Sequence, residues 1–283
     1  MSLLAVGTVA FDCVETPFGK HDDIIGGSVS YLGTSASYFT DVRMMSVIGE
    51  DFPEETLEFF RSRKINTDGV KRLPGQTFRW KGKYTDNLNE AQTLDTQLNV
   101  LEGFDPVVPK EFLNSEILML GNLMPSVQTK VLDQMKKRPK LIVLDTMNFW
   151  MDNFLQDLLP ALKNVDVLTI NDEEARLLSG ELSLKKAANK ILTMGPKYLI
   201  IKKGEHGALL FNEKEVFFAP ALPLEEVFDP TGAGDTFIAT CACFLAQQQP
   251  LQQVLALANT AATLAVSRPG NAIIGFFVKI FKT

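Results

Sequence analysis

The run Asp229-Pro230-Thr231-Gly232-Ala233-Gly234-Asp235-Thr236-Phe237 sets two glycines and two carboxylates in a turn that leads straight into an apolar segment, 236–246. Gly232 and Gly234 carry no Cβ, so backbone N–H groups there can approach an anion closely. A helix starting at this point adds unpaired donors and a partial positive charge. Together these features make an anion hole suited to a phosphate. Asp235, beside that hole, has two readings. In a first helical turn it compensates the helix dipole. As a general base it accepts the proton of a substrate hydroxyl while that oxygen attacks phosphorus.

Other clusters are equally two-sided. Asn171-Asp172-Glu173-Glu174 follows an apolar run and opens a helix. Asn171 as N-cap and Glu174 as its capping-box partner would account for both structurally. Polar groups at the carboxyl end of a parallel strand are also where open α/β sheets bind ligands, and there an amide and a carboxylate can hold the water shell of Mg2+. The run from Lys202 through Lys203, Gly204 and His206 to Gly207 ends another strand with a turn, a weak signal for anything but a bend. Gly26-Gly27 leads into a segment with small residues Gly33, Ser35, Ala36 and Ser37. Small residues let a helix pack tightly on a sheet, and the glycine pair lets a polar ligand lie against backbone.

The elements that must position these groups alternate. Apolar runs at 3–9, 43–48, 117–120, 141–145, 165–170 and 198–202 read as strands covered on both faces. Segments 28–39, 53–63, 126–137, 149–162 and 184–194 have helical length and pattern. Strand–helix alternation predicts an α/β fold, a mostly parallel central sheet flanked by helices. One region breaks the rhythm. Phe78, Trp80, Gly82 and Tyr84 alternate with Arg79, Lys81 and Lys83, and Leu94, Thr96, Leu98 and Val100 with Asp95, Gln97 and Asn99. Two such strands about a polar bend at 86–92 predict a half-solvated antiparallel flap. Its aromatic face, chiefly Phe78 and Trp80, is expected to turn inward over a ligand, and its basic face outward. Leaving large aromatics wet costs roughly 25 cal/mol per Å2.

Composition removes several classes. The chain has 283 residues, 46% of them apolar, with a net charge of −6, enough to bury a core as one domain, 1–283. The acidic balance argues against binding nucleic acid by charge. Two histidines leave no histidine-built zinc site and little room for a Ser-His-Asp triad. Three cysteines make no closed disulfide framework, which points to a reducing cytoplasm. No apolar stretch reaches membrane-spanning length. The first strand ends without a Gly-x-Gly-x-x-Gly turn, against a dinucleotide-binding oxidoreductase.

From Gly7 and Asp12 to Ser267-Arg268-Pro269-Gly270, the chain resembles the ribokinase-like (PfkB) carbohydrate kinases. The 229–237 run looks like that family's C-terminal signature, Gly26-Gly27 like its N-terminal one, and Ile48-Gly49-Glu50-Asp51 like its usual follow-on strand end. The resemblance implies ATP with Mg2+, a monovalent K+ site, and a small β-lid drawn from about 11–20 and 77–101. It casts Asp235 as the catalytic base, with Gly232, Ala233 and Gly234 as the anion hole. Asn171 and Glu174 would organise Mg2+ through water, and Lys203, Gly204, Gly207 and Asn259 would wall the nucleotide. Asp229 and Thr231 would serve the K+ loop, near Arg268 and Gly270. Asp12, Gly26 and Gly27 would meet the acceptor, with Asn122 and Asn148 at neighbouring strand ends. The chain departs from the family at Tyr31, where Asn is frequent, and at Val29, where Gly is frequent. Ribose is therefore not expected to be held as in a ribokinase, and Tyr31 either stacks on a sugar or cyclitol ring or fills space.

The expected activity is phosphorylation of a sugar or polyol hydroxyl. A nucleoside acceptor ranks next, then a phosphosugar, then a non-catalytic ligand-binding relative, which the presence of Asp235 opposes. A homodimer paired through lid edges is expected by analogy.

Overall fold

The computed structural model describes residues 1–84 and 91–267. Its centre is a nine-stranded sheet, and β1 (Ser2–Val6) pairs in parallel with β4 (Asp41–Ile48) on one side and β8 (Ile117–Leu120) on the other. Beyond β4 lies β5 (Ile65–Arg72), also parallel. Beyond β8 follow β9 (Leu141–Asp145), β10 (Val167–Asn171) and β11 (Tyr198–Lys202), again parallel. The antiparallel strands β12 (Ala208–Phe211) and β13 (Val216–Ala219) close that edge. Chain order reverses at β1, so polar groups ending β1, β8 and β9 share one crevice.

The apolar strands feed two core layers by alternation. In β1, Leu3 and Ala5 join one layer, while Leu4 and Val6 join the other. The first layer packs under α1 (Ser28–Ala36), α2 (Glu54–Ser62), α8 (Ala233–Ala246) and α9 (Leu251–Val266). The second packs under α3 (Pro125–Gln134), α4 (Asn148–Asn153), α5 (Leu155–Leu162), α6 (Asp172–Ser179) and α7 (Leu184–Leu192). The mostly parallel sheet flanked by helices is thus as expected.

Several local expectations change. The single helix over 149–162 is two helices, broken at Phe154 with φ −136°. Pro160 lies inside the second, and restarting at Leu155 confines the conflict to its early turns, where the carbonyl of Gln156 loses its partner. Helix α8 starts at Ala233 and not at Thr236. Strand β5 and helix α9 were not expected; β5, with sequence INTDGVKR, is too polar to read as a covered strand.

The smaller sheet has order β3-β2-β6-β7, with β2 (Ala10–Thr16), β3 (Gly19–Gly26), β6 (Phe78–Tyr84) and β7 (Ala91–Gln97). It is mixed and not purely antiparallel, because β2 and β6 run parallel. Of the expected 86–92 bend, residues 86–90 lie outside the described residues, and Ala91 and Gln92 belong to β7. Leu98 and Val100 leave the strand pattern in a 3-10 turn over Asn99–Leu101. Arg268 and Gly270 also lie outside the described residues.

Candidate active site

At the start of α8, Gly232 takes φ +76°, and a Cβ there would fall 2.4 Å from the Tyr31 ring. Only glycine meets both demands. The Ala233 N–H turns back onto Pro230 O at 3.2 Å, and Thr236 N–H reaches Gly232 O at 2.9 Å. Among the described residues, the N–H groups of Gly232, Gly234 and Asp235 have no protein acceptor. The open donors at this turn are therefore Gly232, Gly234 and Asp235, whereas the Ala233 N–H is spent within it. Asp229 Oδ1 accepts the Thr231 N–H at 2.9 Å and holds the turn in shape, while the buried Thr231 Oγ1 lies beside Tyr84.

Tyr31 marks where the other groups meet. Burial raises its phenol well above the ordinary range, and Asp12, Asp229, Asp235 and Tyr84 push it further. Helix α1, the 229–235 turn and strands β2 and β6 thus converge on one point. Tyr31 itself packs on Gly232 and so fills space beneath the turn. The Asp12 carboxylate lies against Gly26, where a Cβ would stand 1.8 Å from Oδ2. Gly27, at φ +84°, caps α1. Burial raises the Asp12 pKa to about 7, the Gly27 N–H opposes this and Asp229 adds to it. Burial likewise drives Asp235 well above the usual carboxylate range, reinforced by Asp145, opposed by Lys202 and reinforced again by Asp12.

Register decides the facing of the small sheet. Asp12 pairs with Trp80, and Trp80 with Thr96, so the aromatic face of β6 is the Asp12 face. Phe78 packs into the second core layer and not over a pocket. The Trp80 ring covers Gly82, and its Nε1 donates to Thr93 Oγ1 at 3.2 Å. Tyr84 reaches furthest inward, beside Thr231 and within the field of Asp229, Asp12 and Asp235. On the opposite face Arg79 stacks on Phe11 and pairs with Asp23 and Asp51, while Lys83 pairs with Glu15.

Asn171 and Glu174 form a reciprocal capping box: Glu174 N–H donates to Asn171 Oδ1, and Asn171 N–H to Glu174 Oε2, each at 2.7 Å. Burial raises Glu174 to about 7, Lys202 opposes this, the Asn171 N–H opposes it too, and Asp145 adds to it. Lys203, Gly204 and Gly207 build the turn from β11 to β12, closed by Lys203 N–H to Gly207 O at 2.8 Å. The Asn259 amide is committed to Ala219 O and Pro220 O, at 2.8 and 3.0 Å, and anchors the end of β13. Asn122 is held between Met147 and Trp150, and Asn148 Oδ1 accepts the Phe149 N–H while the Asn148 backbone N–H reaches Glu174.

Two groups went unassigned from sequence. Asp145 ends β9 and Lys202 ends β11, and their side chains meet at 3.1 Å. Thr169 Oγ1 also donates to Asp145 Oδ1, at 2.8 Å. A usable signal existed: each is a charge closing an otherwise apolar parallel strand at its carboxyl end.

Residues 29–274 match the profile of the pfkB family carbohydrate kinases. A cytidine kinase of Thermococcus kodakarensis is 27% identical over 277 residues, spanning 96% of this chain and 98% of that protein. The bifunctional protein HldE of Trichlorobacter lovleyi is 29% identical over 280 residues, spanning 90% of this chain and 54% of that protein. An E. coli structure described as a ribokinase II in complex with ATP and Mg2+ superposes with a TM-score of 0.81 at 19% identity, covering 95% of this chain and 94% of that one.

Proposed function

Because the chain belongs to the pfkB family of carbohydrate kinases, we propose that it transfers the γ-phosphoryl group of ATP to a hydroxyl of a neutral sugar or polyol. The observation that carries this reading is the convergence of Asp12, Asp229 and Asp235 on Tyr31, next to the open N–H groups of Gly234 and Asp235. Carboxylates suit hydroxyl donors and repel an anionic acceptor. Arg79 and Lys83 lie on the other face of the small sheet, each paired to a carboxylate, which weighs against a phosphosugar.

The residues fit ATP and Mg2+. Gly234 leaves open the cradle that a side chain would fill, and the start of α8 offers donors for phosphate oxygens. Among the described residues no three His, Cys, Asp or Glu converge in metal-ligand fashion. Mg2+ would therefore rest on phosphates and water, with Glu174 and Asp145 as the nearby carboxylates, and would neutralise phosphate charge. Asp12 and Asp229 accept hydrogen bonds from acceptor hydroxyls and orient the ring. Asp235 takes the proton of the attacking hydroxyl. The N–H groups of Gly234 and Asp235 hold the oxygens on which charge develops. The small sheet, carrying Trp80 and Tyr84, acts as a lid that keeps water from competing.

A nucleoside acceptor is the second reading. It is favoured by the flat aromatic surfaces of Trp80 and Tyr84 on the Asp12 face and by the similarity to a cytidine kinase along nearly the whole chain. ADP release measured with Mg-ATP across sugars, cyclitols, nucleosides and phosphosugars decides between them. Turnover with a phosphosugar alone would defeat both readings.

A further inference from the structure

Lys202 has no part in the roles assigned above. Its Nζ lies 3.1 Å from Asp145 Oδ1, and a Cβ built on Gly234 would stand 3.3 Å from it. The ammonium therefore borders the same space as the open N–H groups of Gly234 and Asp235. An ammonium carries three donors. Among the described residues only Asp145 pairs with it directly. Burial works against its charge, but Asp145, Glu174 and Asp235 more than offset that and keep it protonated. As a device for stability this is a poor arrangement, since desolvation cancels much of what a buried ion pair gains. As a device for holding phosphate it is apt: a compact charge on a flexible stem, with donors to spare, beside an anion hole.

We infer that Lys202 is a further catalytic residue, its ammonium donating hydrogen bonds to a terminal phosphoryl oxygen of ATP alongside the N–H groups of Gly234 and Asp235. This rests on the kinase reading above. The proton stays on nitrogen throughout. The bond between the γ-phosphorus and the ADP oxygen breaks, the bond to the acceptor oxygen forms, and the acceptor proton goes to Asp235. ADP has no γ-phosphate, so the contact distinguishes the two nucleotides even when no chemistry occurs.

Calorimetric titration with ATP and with ADP, both without divalent cation, separates this role from a structural one. The native protein should bind ATP more tightly than ADP. Lys202→Met should weaken ATP roughly 10- to 100-fold, the scale of one charge-assisted contact, and ADP less than about threefold. Because that change strands the Asp145 carboxylate, the double variant Asp145→Asn/Lys202→Met is titrated beside it and should show the same loss of discrimination. Equal weakening of both nucleotides, or an unchanged ATP-to-ADP ratio in the double variant, overturns the assignment. A native protein that discriminates ATP from ADP yet phosphorylates no hydroxyl compound defeats the acceptor reading and leaves the Lys202 contact standing. One that binds neither nucleotide defeats both.

Discussion

Asp235 sits under opposing influences. Burial, Asp145 and Asp12 favour its neutral form, and Lys202 favours the charged form. A base needs the charged form, so the lysine helps to keep a proton acceptor available. Asp235→Asn preserves shape and removes the acceptor; kcat should fall about 10²–10⁴-fold with nucleotide binding retained, as read by turnover and calorimetry. Near-native turnover would end the general-base assignment. Gly26 is a second sensitive point, for a steric reason. The added methyl of Gly26→Ala would overlap the Asp12 carboxylate, so that group must move. Acceptor KM should rise about tenfold or more, because small displacements of positioning groups are costly, while ATP KM stays within about twofold. Equal changes in both constants would mean that Asp12 does not face the acceptor.

At the scale of elements, the small sheet ties two distant segments together. Strands β2 and β3 arise near the N-terminus and β6 and β7 some sixty residues later, joined by the parallel β2–β6 ladder. That ladder sets Trp80 level with Asp12. If the sheet acts as a lid, Trp80→Ala should raise acceptor KM and increase ATP hydrolysis without acceptor, more than it lowers thermal stability. The indole is half-buried, lies over Gly82 and belongs to neither core layer, so its loss leaves both layers intact. Unchanged KM together with a large drop in Tm would assign Trp80 to packing instead.

The whole molecule stores unfavourable charge in its crevice. Asp12 and Glu174, with ordinary values of 3.8 and 4.5, are both raised to about 7 in the fold. Each therefore binds its proton more tightly folded than unfolded. Their contribution favours the fold fully below about pH 4, declines as pH rises, and is lost above about 7; one pKa unit corresponds to about 1.4 kcal/mol. Asp12→Asn/Glu174→Gln removes both titrations and keeps the capping box, since Gln serves at that position. The variant should gain stability over the native protein between pH 5 and pH 8, measured by denaturant midpoints. A difference independent of pH would show that neither carboxyl is desolvated in the fold.

The strand–helix alternation, the parallel sheet and the 229–237 turn were legible because each is written in neighbouring residues: period, length, and glycines beside a helix start. Asn171 and Glu174 were legible too, as a capping box, since that motif spans one helical turn. What depended on pairing across the chain was not. The parallel joining of β2 to β6, the packing of Tyr31 on Gly232, and the inward reach of Tyr84 follow from ladders and layers that no local pattern encodes. The meeting of Lys202 with Asp145 belongs to the same class, because these residues, 57 apart in the chain, end strands on either side of β10 only once the sheet order is set. Local spacing by itself determined which residues stand at strand and helix ends; tertiary structure decided which of those ends share a charge, because electrostatic energy falls with distance in space and not along the chain.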